Sequence, residues 1–179
     1  MQKFHVLVTI VLAVGLLIAA PLGAQVVKEN VPGITNFARI ESTVACAGAI
    51  TAQSVPEIKK YGFKSIINLR LAEEPGANVE AEAAAAKTAG LNYVHVPFNG
   101  TMPDPAAVDK FLTAIKSPGV EPAFIHCAGG NRAALMWFIK RVEVDGWDIN
   151  RASEEATALG LTSAPLKQFA MAHIEAHKK

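Results

Sequence analysis

Cysteine is scarce: Cys46 and Cys127 are the only two in 179 residues, too few for a disulfide framework. Net charge is nearly absent. The 17 Lys+Arg against 16 Asp+Glu give a formal charge of +1, so there is no broad positive field to hold a nucleic-acid backbone. Charged residues are only 18% and hydrophobic residues 51% of the chain, which excludes a disordered protein. No internal repeat or low-complexity linker interrupts residues 37–177, and the length suits one domain with a real core. Long apolar runs are missing except at the N-terminus, where Val6 to Ala20 carry no charge. That run is shorter than the roughly 20 residues that span a bilayer. Lys3 precedes it and Pro21-Leu22-Gly23-Ala24 follow, the parts of a secretory signal with cleavage expected after Ala24. The competing expectation is a retained anchor. Lys3 is the only charged side chain in residues 1–24, so removal leaves a neutral protein, secreted or periplasmic and without stable membrane association.

What is present beyond Ala24 alternates between strand and helix patterns. Residues 25–36 have turn residues and no clear period, and are expected to be a lead-in to a domain over 37–179. Short strands are expected at Phe37–Ile40, Val44–Ala47, Ser65–Leu69, Tyr93–Phe98 and Ala123–His126. Ser54 with Glu57 three residues later reads as a capping box opening a helix that stops at Gly62. Further helices are expected over Val79–Ala89, after an Asp104 N-cap with Pro105 at the first helical position, over Arg132–Val144, Ala152–Leu159 and Pro165–His177. This alternation implies an α/β fold with a mainly parallel central sheet flanked by helices. Sites in such sheets gather beyond the carboxyl ends of strands, which singles out loops 70–78, 99–104 and 127–132.

The last of these carries the chemistry. His126-Cys127-Ala128-Gly129-Gly130-Asn131-Arg132 joins a strand to a helix. A cysteine there faces a helix N-terminus, where unpaired N–H groups and the helix dipole favour negative charge. Small residues at 128–130 let backbone amides curl around an anion. Arg132 offers a planar fork for two oxygens of a phosphoryl group. A nucleophile, an anion cradle and a charge clamp thus lie within six residues, as attack on a phosphate ester requires. The competing reading is a buried structural Cys before a Gly-Gly turn.

The run resembles the phosphate-binding loop of cysteine-dependent protein phosphatases of the dual-specificity-like branch, and is similar above all to the bacterial beta-lactamase hydrolase-like (phosphatase-like) domains. Gly48-Ala49-Ile50-Thr51, Gly62-Phe63-Lys64 into Ile66-Ile67-Asn68-Leu69-Arg70, Tyr93-Val94-His95-Val96-Pro97, His126 through Trp137, Gly146-Trp147 and Glu154-Glu155-Ala156 carry the likeness. The resemblance implies hydrolysis of a phosphorylated protein or small phosphate ester through a Cys127 thiophosphate, without metal or other cofactor. It implies that amides of Ala128, Gly129, Gly130 and Asn131 and the Arg132 side chain bind the phosphoryl oxygens, that His126 orients the loop, and that a general acid protonates the leaving group.

Asp104 is the nearest carboxylate for that acid, although an N-cap accepts hydrogen bonds. Glu73 and Glu74 are substitutes, and Arg70 either lines the pocket or pairs with them. Four residues separate Cys127 from Arg132, one fewer than in the common tyrosine phosphatase loop, and Ala133 stands where many phosphatases have Ser or Thr. A rhodanese-like sulfurtransferase, with a persulfide on Cys127, and a non-catalytic anion-binding module are therefore the alternatives. Cys46 is expected to be a strand-buried thiol, with a reversible disulfide to Cys127 as the other possibility. His173 and His177 have metal-binding spacing but no third ligand near them in sequence, and are expected to be a solvated tail.

Overall fold

A computed structural model describes residues 25–178. The signal segment expected at 1–24 lies outside the described residues. Six strands form one sheet: β1 (Val26–Val31), β2 (Ile34–Ile40), β3 (Val44–Ala47), β4 (Ser65–Asn68), β5 (Asn92–His95) and β6 (Ala123–His126). Their spatial order is β1-β2-β3-β6-β4-β5. Strands β3, β6, β4 and β5 run parallel, and β1 and β2 add an antiparallel edge. Among the described residues six α-helices follow in order, α1 (Val55–Lys60), α2 (Val79–Thr88), α3 (Pro105–Ile115), α4 (Asn131–Glu143), α5 (Ile149–Leu159) and α6 (Ala164–Ala176). No described helix is long and apolar enough to cross a membrane.

The expected α/β architecture is the one observed, with one correction: residues 26–31 are a strand, not a lead-in. Val31-Pro32-Gly33-Ile34 is a tight turn with Gly33 at φ +77°, the conformation that glycine adopts without a Cβ penalty. The Pro-Gly pair was the available signal. The edge strand hides from simple periodicity because it carries charge: Glu29 accepts from Arg39 at 2.7 Å and from Tyr61 at 2.8 Å. The Ser54 capping box also fails to form. A short 3-10 turn precedes α1, and Ser54 Oγ donates to the Thr51 carbonyl instead of capping.

Both sheet faces are covered, which is why β3, β4 and β6 are buried along their whole length. Helices α1 and α2 lie over Phe37, Ala45, Ala47, Ile66 and Phe124. The larger layer, drawn from α3 to α6, lies over Ile40, Val44, Cys46, Ile67 and Ile125. Helix α4 is its centre and is buried from Arg132 through Lys140, so it has no polar stripe to read. Arg141 joins α4 to α5, its guanidinium 4.4 Å from the Trp137 ring centre and 3.9 Å from that of Trp147, with Glu155 accepting at 2.7 Å. Cys46 belongs to this core as expected, and both cysteines are free thiols. Burial pushes the Cys46 thiol well up, with the nearby Cys127 adding to the shift.

Candidate active site

The carboxyl ends of β3, β4, β5 and β6 converge on one edge, and the loop after β6 lies in the middle of it. Cys127 N donates to the Ala47 carbonyl at 3.2 Å, and Ala49 N donates to Ala128 at 2.9 Å. Asn36 Nδ2 donates to Gly129 at 3.1 Å. The loop is thereby fastened to β3 and to the edge hairpin. Gly130, at φ +101°, then turns the chain into α4, and its N–H points back at Cys127 Sγ, 3.1 Å away. The first N–H groups of α4 have no intrahelical partner, so the sulfur faces a donor-rich helix start.

Close approach fixes the neighbouring loop. A Cβ on Gly48 would lie 2.8 Å from the Ala128 carbonyl oxygen and 3.1 Å from Thr35. Gly48→Ala is therefore expected to displace the Cys127 loop, costing about 1–3 kcal/mol from overpacking. Thermal denaturation and phosphate titration of the variant check this; unchanged melting and unchanged phosphate affinity would refute it.

Arg132 is the electrostatic centre. Nη1 donates to the carbonyls of Leu69 (3.2 Å) and Phe98 (2.8 Å), which lie just past β4 and β5. Nη1 and Nη2 also meet Glu74 Oε1 and Oε2 at 2.6 and 2.8 Å, a two-pronged ion pair. A guanidinium has five N–H groups. Nε–H and one Nη2–H meet no oxygen acceptor among the described residues, and the guanidinium also interacts with the Cys127 sulfur, so these donors can turn to a ligand at Cys127. Burial works against the Arg132 charge, but Glu74 and Cys127 outweigh it and raise the pKa. The Arg132 hydrogen bonds bring Glu74 down to about 2, against the cost of its partial burial, with Leu71 N–H and Arg70 assisting. Arg70 itself shapes the 70–78 loop, donating to Pro75 (2.6 Å) and Gly76 (3.0 Å). Of its two expected roles, pairing with a glutamate is the one observed.

Glu74, Cys127 and Arg132 line a cavity of about 550 Å³ together with Leu71, Asn99, Gly100, Thr101, Ser163 and Leu166. Ala128, Gly129, Asn131, Arg132 and Cys127 reach it as expected. Three expected residues stand elsewhere. His126 is fully buried behind the loop, so it cannot touch a substrate. Gly130 is buried, its N–H committed to the sulfur. Asp104 is exposed and caps α3, accepting from Ala106 N at 2.9 Å, and it is not part of the cavity wall. The physical reason is local: the helix start needs an acceptor, and Asp104 is oriented to supply it. The 99–102 rim is held instead by Asn99 Oδ1, which accepts from Thr101 N and Met102 N.

Several supporting residues escaped sequence reasoning. Glu82 is 1% exposed and accepts from Asn68 Nδ2 (2.8 Å) and Tyr93 Oη (3.1 Å). His126 Nε2 lies 3.2 Å from the same oxygen, off the line that a hydrogen bond needs. The sequence gives no sign of the burial of Glu82, since five of the ten residues of α2 are alanine and mark no apolar face. Asn131 Oδ1 accepts from Thr162 N and Ser163 N, both at 2.8 Å, tying the start of α4 to the start of α6.

Residues 36–144 match the family described as beta-lactamase hydrolase-like protein, phosphatase-like domain. The chain belongs to this family. Its similar curated relatives include the beta-lactamase hydrolase-like proteins of Xylella fastidiosa, 34% identical over 123 residues (68% of this chain, 27% of the relative), and of Agrobacterium fabrum, 35% identical over 107 residues (56% of this chain, 24% of the relative). The chain thus spans about a quarter of the length of these relatives. Solved structures with the same fold include P. aeruginosa TpbA, with TM-score 0.64 at 23% identity over 89% of this chain and 94% of that one. The core catalytic domain of the PP-IP phosphatase SIW14 from S. cerevisiae has TM-score 0.61 at 18% identity, covering 75% and 83%. TpbA is also known in complex with pTyr.

Proposed function

We propose that this member of the family is a cysteine-dependent phosphatase acting on phosphate monoesters. The observation that carries the proposal is the pairing of Cys127 Sγ, beneath a backbone donor at 3.1 Å, with an Arg132 fork aligned by Glu74 and retaining two N–H groups that meet no oxygen acceptor among the described residues. In the first step the Cys127 thiolate attacks phosphorus, an S–P bond forms and the P–O ester bond breaks, and the departing oxygen takes a proton from solvent water. In the second, water attacks phosphorus, the S–P bond breaks, and phosphate and the thiolate are released. Arg132 and loop amides hold the equatorial oxygens in both. The structure of TpbA with pTyr supports an aryl phosphate as the first substrate to try.

One observation favours the sulfurtransferase alternative. Among the described residues the only carboxylate on the cavity wall is Glu74, already ion-paired and held near a pKa of 2, whereas persulfide transfer requires no proton donor of this kind. A paired assay on the purified, reduced protein separates the two: aryl-phosphate hydrolysis against sulfur transfer from thiosulfate to cyanide. Phosphate hydrolysis is expected to dominate and to vanish in Cys127→Ser. Dominant sulfur transfer would overturn the proposal.

The acid has its own test. With Asp104 committed to the α3 cap, Asp104→Asn is expected to leave the basic limb of the pH–rate profile in place and to change kcat by less than about tenfold, below the usual worth of a general acid. Loss of that limb would restore Asp104 as proton donor.

A further inference from the structure

On the far side of α4 from its N-terminal loop, three helices bring together four potential metal ligands. Asp109 comes from α3, Glu143 from the last turn of α4, and His173 and His177 from α6 and its cap. One ligand atom each of Asp109, His173 and His177 lie within 4.8 Å of one another. The His173 side chain is 2% exposed, and its Nε2 is 3.3 Å from Glu143 Oε1. Yet neither atom has a hydrogen-bond partner. Two buried polar atoms at that distance, aimed past each other, are costly unless a third body sits between them.

The separation is itself informative. Bonds of about 2.0–2.1 Å to a tetrahedral zinc place two ligand atoms roughly 3.3 Å apart, the spacing of the Glu143–His173 edge. Asp109 and His177 are exposed, so the looser edges close by side-chain rotation. His177 Nδ1 lies 2.8 Å from the His173 carbonyl. A carbonyl only accepts, so the proton is on Nδ1 and the lone pair on Nε2, the arrangement in which a ligating imidazole is oriented through its other nitrogen. Two imidazoles and two carboxylates also balance a divalent charge, and that mixed nitrogen–oxygen set suits zinc-like ions over magnesium or calcium.

We propose that Asp109, Glu143, His173 and His177 bind one divalent transition-metal ion of the zinc class, fastening the end of α6 to α3 and α4. The site is separate from Cys127 and does not depend on the reaction assigned there. Its consequence for that reaction is mechanical, because the N-cap and first turn of α6 supply Ser163 and Leu166 to the active-site cavity.

The test uses the Cys127→Ser protein made without a polyhistidine tag, so that neither the thiol nor a tag competes for metal. Dialysis against Zn²⁺ is expected to leave one ion per chain. Co²⁺ is expected to give the visible ligand-field bands of a tetrahedral nitrogen–oxygen site. Zn²⁺ at about 100 times its Kd is expected to raise Tm by roughly 5–10 °C, with no rise in Mg²⁺. Asp109→Ala and His177→Ala, both at exposed positions, are expected to lose the stoichiometric ion, the Co²⁺ bands and the Tm shift. Substoichiometric binding, an equal response to Mg²⁺, or unchanged Zn²⁺ binding in both variants would overturn the proposal.

Discussion

Arg132→Ala is expected to reduce kcat for aryl-phosphate hydrolysis by on the order of 10³–10⁵, the range found where a single arginine stabilises a transferring phosphoryl group. The argument rests on how the guanidinium is divided. One edge is consumed by the Leu69 and Phe98 carbonyls and Glu74, which fixes the plane before any ligand arrives. The remaining Nε–H and Nη2–H keep their orientation at no further entropic cost when charge develops on the phosphoryl oxygens. Arg132→Lys retains the charge but not the fork. It is expected to recover less than about tenfold of the loss, since a lysine cannot satisfy two carbonyls, a carboxylate and two phosphoryl oxygens from one nitrogen. Single-turnover kinetics on both variants provide the measurement. A lysine variant within tenfold of the parent would mean that charge alone suffices and that the aligned fork is unimportant.

Glu74→Gln is the second large effect, and it acts through Arg132. The substitution leaves a buried guanidinium without its counter-charge, a situation that costs several kcal/mol when both partners are fully buried. Glu74 has 18% side-chain exposure, so the cost here is smaller. The shift of Glu74 from 4.5 to about 2 corresponds to at most about 3 kcal/mol, which predicts a Tm lower by roughly 5–10 °C. The pH dependence separates this from simple misfolding. A carboxylate whose pKa is depressed in the folded state stabilises the fold fully above about pH 4.5, and that contribution disappears as pH falls toward 2. Wild type should therefore lose its advantage over Glu74→Gln across that window, and the two stability curves should converge near pH 2. Parallel curves from pH 6 to 2 would show that the ion pair contributes nothing. Activity should fall as well, with kcat/KM down by about tenfold or more, because Arg132 is no longer held in one plane.

Much of this arrangement was legible in the order of residues. Cys127 to Arg132 are contiguous, and a strand on one side with a helix on the other is enough to place a sulfur at a helix start. Strand β6, buried at every position, and α3, with Val108, Phe111, Leu112 and Ile115 on its core face, show the apolar run and the period that a buried strand and a one-sided helix must have. Where the outcome differed, a competing local interaction had won. Ser54 turned its hydroxyl to Thr51, and Asp104 turned its carboxylate to Ala106.

Partnerships across the chain had no sequence signature. Glu74 and Arg132 are 58 residues apart, and nothing in loop 70–78 distinguishes Glu74 from the solvated Glu73 beside it. Glu82 lies on an alanine-rich helix, and only the packing of α2 on β4 and β5 turns it inward to Asn68 and Tyr93. The same holds for His173 and His177, whose further ligand candidates come from α3 and α4. The sequence by itself determined most of the elements, their α/β alternation and the contiguity of the Cys127–Arg132 loop, because those depend on interactions within a few residues; the charged edge strand β1 escaped it. Only the tertiary structure decided which charges meet, which carboxylate aligns the arginine and which one merely caps a helix, because ion pairs and burial are set by distances in space, and the register of the sheet brings remote residues to its carboxyl edge.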